Sequence, residues 1–196
     1  MIDREKIREV LAHVHKGLKA ESYFFKARYL LPIIAIAMLY QLLDSFRGAV
    51  FIGILAIIAS YSTIYKRVIR IPSAIETVTI GTAVTAINYG PLAGALFGAI
   101  TTLASEIISG GIDMFTFVYM FARAVLGVAA FFLAGINTVM LGLIMTLAFN
   151  AICQPIYQLP GDIETRIKGV YFLIISVISN LILFFVFGDF LIGLAA

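Results

Sequence analysis

Residues Val125–Ala134 read VLGVAAFFLA and contain no polar side chain, and residues Leu30–Leu39 read LLPIIAIAML in the same way. These unbroken apolar runs decide the fold class. A chain that crosses a bilayer must satisfy its backbone hydrogen bonds within itself, so only helices and closed barrels span the hydrocarbon. Barrel strands alternate polar and apolar residues over about ten positions, and these runs do not alternate. The sequence therefore predicts membrane-spanning α-helices.

The composition of the chain favours the same class. Of its 196 residues, 62% are hydrophobic and only 13% are charged, which is about half the charged fraction of an ordinary soluble domain. From Tyr29 onward, apolar stretches follow one another, each close to the ~20 residues that a helix needs to cross ~30 Å of hydrocarbon. We predict an all-α polytopic bundle in the cell membrane, formed by a single transmembrane domain over residues 29–196.

Residues 1–28 differ from the rest of the chain in their charge. Seven of the fourteen Lys and Arg residues lie before Tyr29, and apolar side chains recur between them at helical spacing. This pattern predicts an amphipathic cytoplasmic helix over residues 1–28. It lies on the lipid surface or on a partner, or else packs on its own bundle. Its charged start is unlike a signal peptide.

Turn and charge signals divide the remaining chain into seven apolar segments. The segments are Tyr29–Phe46, Gly48–Tyr65, Pro72–Tyr89, Leu92–Ser109, Phe115–Gly135, Asn137–Gln154 and Val170–Leu191. Some are joined so tightly that six spans with one non-crossing segment are the alternative prediction. With seven spans, the basic loops at Lys66 and Lys168 fall on the side of the N-terminus, which the positive-inside rule places in the cytoplasm.

Arg123 and Glu106 are the charged candidates for function, because an ionisable residue inside a span costs free energy in lipid. Arg123 lies near the middle of the fifth segment, where an unpaired Arg costs roughly 2.5–3.5 kcal/mol on insertion scales. Glu106 lies in the preceding segment, on the other side of the Gly110–Gly111 turn. Counted from that turn, Arg123 lies about six residues, or roughly 9 Å, deeper in the membrane than Glu106. An ion pair between them is within partial reach of the Arg side chain. Arg123 either belongs to an ion pair that locks the bundle or lines a ligand cavity.

Neutral polar residues occupy the later spans. Asn150 and Gln154 share one helix face at positions i and i+4, and Asn180 lies mid-way along the last segment. They either bind a ligand or form interhelical hydrogen bonds. Glu76, in the first turn of the third segment, is favoured there by the helix dipole. The predicted substrate-binding residues are Glu106, Arg123, Asn150, Gln154 and Asn180.

Small residues recur at every fourth position from Gly90 through Gly94 to Gly98. Such a stripe gives a flat helix face that another helix approaches closely. Its partner is either a helix of the same bundle or another subunit.

Catalytic and metal-binding motifs are missing from the sequence. It contains no His-Glu-x-x-His helix, no Gly-x-Ser-x-Gly turn and no phosphate-binding glycine loop. Cys153 is the single cysteine, so an internal disulfide is excluded and a cysteine-based metal cluster needs ligands from elsewhere. We therefore expect no enzymatic activity, no cofactor, no resident metal and no nucleic-acid partner.

Four segments carry a resemblance to a known family. They are Ile75-Glu76, the stretch Tyr89–Gly98 with its Gly-Pro helix start, Phe115–Tyr119, and Ile167-Lys168-Gly169 before the final span. Over roughly Ile71 to Phe185 the chain resembles the substrate-binding S components of energy-coupling factor (ECF) vitamin transporters. The resemblance implies a small helical membrane subunit, usually of six spans, that captures a vitamin-like small molecule on the outer side. It also implies a transmembrane coupling subunit and cytoplasmic ATPases as partners.

The leading functional expectation is therefore substrate capture in membrane transport. The resemblance points to the helices of Arg123, Asn150 and Asn180 as the lining of the site. Two other classes remain open at this stage. One is a non-catalytic membrane scaffold whose polar residues only lock helices together, and the other is a small intramembrane lipid-modifying enzyme with Glu76 or Glu106 as its base.

Overall fold

The computed structural model describes residues 74–159, residues 163–195 and, apart from positions 33, 35, 37, 44 and 45, residues 32–68. Within these residues the chain is helical and contains no strand, which confirms the all-α class. The amphipathic helix predicted over residues 1–28 lies outside them. The chain divides into two units, Met1–Arg47 and Gly48–Ala196. In the first unit the described residues are helical and exposed.

Helix α1 covers residues 48–61 of the second unit and leads into a 3-10 turn. The elements that follow α1 are the 3-10 turn Ile64–Arg67, α2 (Val78–Tyr89), α3 (Pro91–Ser109), α4 (Met114–Phe132), α5 (Thr138–Gln158), α6 (Ile163–Leu183), a π-helical turn (Phe184–Gly188) and α7 (Asp189–Ala195). Since α6, the π-helical turn and α7 follow without a gap, they form one long helix.

Five helices of the described chain are long and apolar enough to cross a membrane, as expected for a multi-pass membrane protein. They are Met38–Arg67, Pro91–Ser109, Met114–Phe132, Thr138–Ile156 and Ile163–Ala195. The count of six or seven spans stays a prediction. The break predicted at Arg47-Gly48 is wrong, because residues 46–50 are helical. One glycine weakens a helix by only about 1 kcal/mol relative to alanine, too little to end an apolar helix.

The third predicted span is shorter in the structure than in the sequence analysis. Helix α2 has 12 residues, about 18 Å at 1.5 Å per residue, and residues 74–77 before it are not helical. Its residues 78–86 are all buried, and it contacts α3, α4, α5, α6 and α7. Helix α2 is thus the centre of the bundle, and its N-terminus lies inside the protein.

Local sequence signals set the ends of the helices around α2. Gly90 has a φ of 96° and separates α2 from α3, which begins with Pro91 at its first position. Gly110 ends α3 in the left-handed conformation with a φ of 72°. Asp113 then caps α4 by accepting hydrogen bonds from backbone amides of its first turn. Asn137 caps α5 in the same way.

Glycines hold α2, α3 and α4 unusually close together. A Cβ at Gly94 would lie 2.4 Å from the Cβ of Ala86 on α2, and a Cβ at Gly127 would lie 2.4 Å from the carbonyl carbon of Gly94. A Cβ at Gly98 would lie 2.9 Å from the carbonyl oxygen of Arg123. The stripe predicted from the sequence therefore packs within this bundle at Gly94 and Gly98, whereas Gly90 forms the turn. This packing fixes the position of the Arg123 backbone.

Candidate functional site

A small cavity lies between the central helix α2 and the surrounding helices. The volume of this cavity is about 20 Å³, which is enough for about one water molecule. Its walls are formed by Thr63, Glu76, Val78, Thr102, Ser105, Glu106, Tyr119, Arg123, Phe149 and Phe172. These residues lie before the 3-10 turn, at the start of α2, in the second halves of α3 and α5, up to the middle of α4 and in the first half of α6, so the cavity occupies one half of the bundle. We call this end, where Lys66, Arg67, Arg166 and Lys168 lie, the basic end.

Arg123 is buried in the wall of this cavity beside Glu76. Its Nη2 atom lies 2.6 Å from Oε1 of Glu76, and only 6% and 4% of the two side chains are exposed. Its Nη1 donates a hydrogen bond to the hydroxyl of Thr79. That hydroxyl in turn donates to Oε1 of Glu76 at 2.5 Å. The charge of Arg123 is therefore compensated by a carboxylate that is itself held in place.

Glu76 reaches Arg123 because of where α2 begins. Its Oε2 accepts a hydrogen bond of 3.0 Å from the backbone N–H of Thr79 in the first turn of α2. The carboxylate thereby caps the helix and meets the positive end of its dipole. From the sequence, Glu76 was explained either by the helix dipole or by a functional role. The structure shows the contact with the helix N-terminus and, in addition, the ion pair with Arg123. We call Arg123, Glu76 and Thr79 the Arg123 cluster.

An aromatic ring lies against the guanidinium group of Arg123. The Cζ atom of Arg123 lies 4.0 Å from the centre of the Phe149 ring, within the range of a cation–π interaction. The Phe149 ring also packs against Tyr119 and Phe172, with centroid distances of 5.8 and 6.1 Å. One wall of the cavity is thus charged and the other is aromatic.

Glu106 pairs with Lys66 and not with Arg123. The Nζ atom of Lys66 lies 2.7 Å from Oε2 and 2.9 Å from Oε1 of Glu106. The Glu106 side chain is 5% exposed and that of Lys66 is 18% exposed, so the pair lies nearer the surface than the Arg123 cluster. A Cβ at position 111 would lie 2.8 Å from Oε2, so the absence of a side chain at Gly111 leaves room for the carboxylate.

The three amides predicted as substrate-binding residues lie elsewhere. The Nδ2 atom of Asn150 donates to the hydroxyl of Ser176 at 3.0 Å and to the carbonyl of Thr146 at 2.9 Å. Gln154 donates to the carbonyl of Gly169 at 2.6 Å. Asn180 donates to the carbonyl of Ser176 at 3.1 Å. We call Asn150, Gln154, Ser176 and Asn180 the α5–α6 ladder; none of its side chains lines the cavity.

The structure therefore brings Arg123 and Glu106 of the predicted residues to one cavity and places the amides at a helix interface. Lys66 was missed because it was assigned to a loop and used only to orient the chain. Thr102 and Ser105 were missed as lining, although they precede Glu106 by four residues and one residue on α3. The four-residue spacing between Thr102 and Glu106, which places both on one helix face, was the signal available in the sequence.

The cavity combines charged, hydroxyl and aromatic side chains. One cation, Arg123, and two carboxylates, Glu76 and Glu106, line a water-sized space that has an aromatic wall. Among the described residues, no group of three or more His, Cys, Asp and Glu side chains has a geometry that could hold a metal ion. No family model matches this sequence, and no curated protein or solved structure matches it either.

Proposed function

We propose that this chain is the small-molecule-binding membrane subunit of a transporter, similar in role to the S components that its sequence resembles. The observation that supports the proposal is the buried Arg123–Glu76 ion pair on the wall of a cavity that Glu106, the partner of Lys66, also lines. Desolvating two charges costs several kcal/mol per ion, and apolar residues of similar volume are often as good or better for stability. Charges that are retained around a cavity favour a role in binding.

The orientation that goes with this proposal follows from charge. The basic end carries Lys66, Arg67, Arg166 and Lys168, whereas the turns at residues 88–91 and 133–137 at the opposite end carry no charged residue. The positive-inside rule places the basic end in the cytoplasm of a cell-membrane protein. The cavity then lies nearer the cytoplasm, on the release side of an uptake cycle. The coupling subunit and ATPases that supply energy are separate chains.

A scaffold without a ligand is the second candidate, and one observation favours it. Each charge at the cavity already has a partner of opposite sign within 3 Å. In that case, the ion pairs only join the 3-10 turn Ile64–Arg67 to α3 and join α4 to the start of α2, and the cavity holds water. The two functions differ in what co-purifies with the protein, because a scaffold retains no specific small molecule.

The experiment is a purification from native membranes in mild detergent, followed by mass spectrometry of the retained proteins and small molecules. We expect ATPase subunits or a specific metabolite with the wild-type chain. The double variant Arg123→Gln/Glu76→Gln removes both charges of the buried pair and keeps side chains that hydrogen-bond to each other. It should retain at least about ten-fold less of the metabolite, a difference of about 1.4 kcal/mol.

The matched control is Lys168→Gln, which removes a cation from an exposed ion pair with Glu164 outside the cavity. It should retain the metabolite at the wild-type level. Recovery of the wild-type chain with lipid alone contradicts the proposal and supports the scaffold. A metabolite that is retained equally by the double variant and the wild type binds somewhere other than this cavity.

A further inference from the structure

The cavity is closed in this structure and smaller than a metabolite. Its volume of about 20 Å³ holds about one water molecule, whereas sites for small organic molecules have volumes of roughly 300 Å³ or more. Protein interiors are close-packed and do not yield gradually. A metabolite can therefore enter or leave only when one wall of the cavity moves as a unit, and the walls differ in how firmly they are held.

Most of the cavity wall is held by close packing or by buried bonds. A Cβ at Gly127 would lie 2.4 Å from the backbone of Gly94, and a Cβ at Gly98 would lie 2.9 Å from the carbonyl oxygen of Arg123. These contacts join α3 to α4 backbone against backbone. Helices α5 and α6 are joined by the α5–α6 ladder, whose amides are bonded inside the bundle. Neither part of the wall moves without the loss of buried contacts.

The wall at the end of α1 is held much less firmly. Thr63 lines the cavity, and the bond from its hydroxyl to the carbonyl of Ser105 is 3.5 Å long, at the limit for a hydrogen bond. The 3-10 turn Ile64–Arg67 follows directly and contains no buried residue. Hydrogen bonds in a 3-10 turn have poorer geometry than those of an α-helix. Regions with few buried contacts open locally at the lowest free-energy cost.

A small set of side-chain contacts fastens this wall. Two of them are neutral and exposed or half-buried: Ser62 Oγ and Tyr65 Oη accept bonds of 3.2 and 3.1 Å from the backbone N–H groups of Thr77 and Ile75. The third is the Lys66–Glu106 ion pair at 2.7 Å, in which Lys66 is 18% and Glu106 is 5% exposed. Glu106 lines the cavity and Lys66 does not. The pair thus extends from the cavity wall toward the surface of the basic end.

From this difference between the walls we propose that the 3-10 turn Ile64–Arg67 is the gate of the cavity, and that the Lys66–Glu106 pair keeps it closed. The inference rests on the proposed function and assigns the gate of that same site. Opening moves the turn away from α3 and separates Lys66 from Glu106. Water that enters then solvates the carboxylate in place of Lys66. The close-packed α3–α4 wall and the α5–α6 ladder stay in position.

The test measures how often the cavity opens, with the full chain in lipid nanodiscs. Cys153→Ala removes the single cysteine, and Ser105→Cys places a thiol in the cavity wall at a position that is 3% exposed. N-ethylmaleimide is much larger than a water molecule, so it adds to this thiol only in the open state. Its rate of addition, measured by mass spectrometry of the intact chain, follows the population of that state. Lys66→Gln leaves Glu106 without its cation and should accelerate addition at least about ten-fold.

Matched controls separate opening of the gate from general loosening. Thr85→Cys places the probe thiol on α2 at a fully buried position that does not line the cavity, and its rate should not change with Lys66→Gln. Lys66→Arg keeps the cation, so addition at Ser105→Cys should stay slow. Tyr65→Phe removes one neutral bond and should accelerate it about three-fold, which keeps the test open when Lys66→Gln fails to fold. Unchanged rates in both variants, or equal acceleration at Thr85→Cys, overturn the gate.

The labelling experiment contains no metabolite, so its result is independent of the purification that tests the proposed function. Unchanged labelling rates together with a retained metabolite overturn the gate and leave the proposed function in place. Labelling rates that change as expected, without a retained metabolite, overturn the proposed function and leave a turn that admits only water.

Discussion

The Arg123 cluster and the α5–α6 ladder are both buried polar regions of one bundle, yet they use different chemistry. In the ladder, Asn150 and Gln154 of α5 donate directly to a hydroxyl and a carbonyl of α6, whereas Asn180 donates to a carbonyl of its own helix. The cluster uses a full ion pair between α4 and the start of α2, and it borders a cavity. Neutral hydrogen bonds are enough to join two helices, as the ladder shows. Helix packing alone therefore does not explain why the cluster contains a buried ion pair.

The two regions should also differ in how much stability is lost when one polar partner is removed. Loss of an amide from the ladder leaves neutral groups that still have local partners, such as the Ser176 hydroxyl, which donates to the carbonyl of Leu173. Loss of one member of the cluster leaves a full charge buried. Removing one partner of a buried ion pair is strongly destabilising because the remaining charge is uncompensated. The following variants test this difference, beginning with the largest expected effect.

Glu76→Ala should have the largest effect on stability. It leaves Arg123 buried without its carboxylate and also removes the cap of α2, so we expect a loss of about 3–5 kcal/mol. Reversible unfolding in mixed micelles with increasing SDS, followed by circular dichroism, measures the change. The double variant Glu76→Met/Arg123→Met should regain most of the loss, because it removes both charges. A loss below about 1 kcal/mol for Glu76→Ala would show that water already compensates Arg123.

Gly127→Ala should have the next largest effect and tests the frame that holds the cluster. The added methyl group meets the backbone of Gly94 at 2.4 Å, and overpacking of this kind costs about 1–3 kcal/mol. The control is Gly53→Ala in α1, where a Cβ meets nothing within 4 Å and alanine should improve helix stability. The same unfolding assay measures both. Equal effects of the two substitutions would mean that α3 and α4 are not in close contact.

The fold class could be predicted from the sequence because it depends on a local property. An unbroken apolar run such as Val125–Ala134 has few structural solutions in a membrane. The start of α2 could not be predicted in the same way. Residues Pro72–Tyr89 read as one apolar segment, but the helix begins only at Val78, where Glu76 turns back to cap it. That detail depends on the bond between Glu76 and Arg123, which are 47 positions apart.

The site could be predicted only in part for the same reason. Arg123 was recognisable from its sequence position alone, because an Arg in the middle of an apolar segment needs compensation. Its partner was not recognisable, since Glu76 and Glu106 are both carboxylates in predicted spans. Only the packing of α2 decides that Glu76 is the one that reaches Arg123. The amides of the α5–α6 ladder show the converse. Asn150 is as polar in the sequence as a ligand-binding residue, but its neighbour Ser176 satisfies it.

Asn150→Leu should have a smaller effect on stability than the first two variants. It removes the bonds to Ser176 and Thr146 and introduces no charge. Hydrogen bonds between membrane helices contribute about 0.6 kcal/mol on average and up to about 1.7 kcal/mol, so we expect a loss in this range. Because Asn150 does not line the cavity, the amount of metabolite retained on purification should stay at the wild-type level. A loss of binding without a loss of stability would place Asn150 in the site.

Lys168→Ala should have the smallest effect, and it calibrates the charges of the basic end. Lys168 and Glu164 form an i,i+4 ion pair on α6 with side chains 54% and 72% exposed. Pairs of this kind contribute about 0.3–0.5 kcal/mol and are screened by salt. Lys66→Ala should lower the free energy of unfolding by more than this, since its partner Glu106 is buried. The effect of Lys66→Ala should persist in about 0.5–1 M salt, where the screening length falls to roughly 3–5 Å. If high salt removes both effects equally, the Lys66–Glu106 pair is solvated like a surface pair and does not belong to a dry cavity wall.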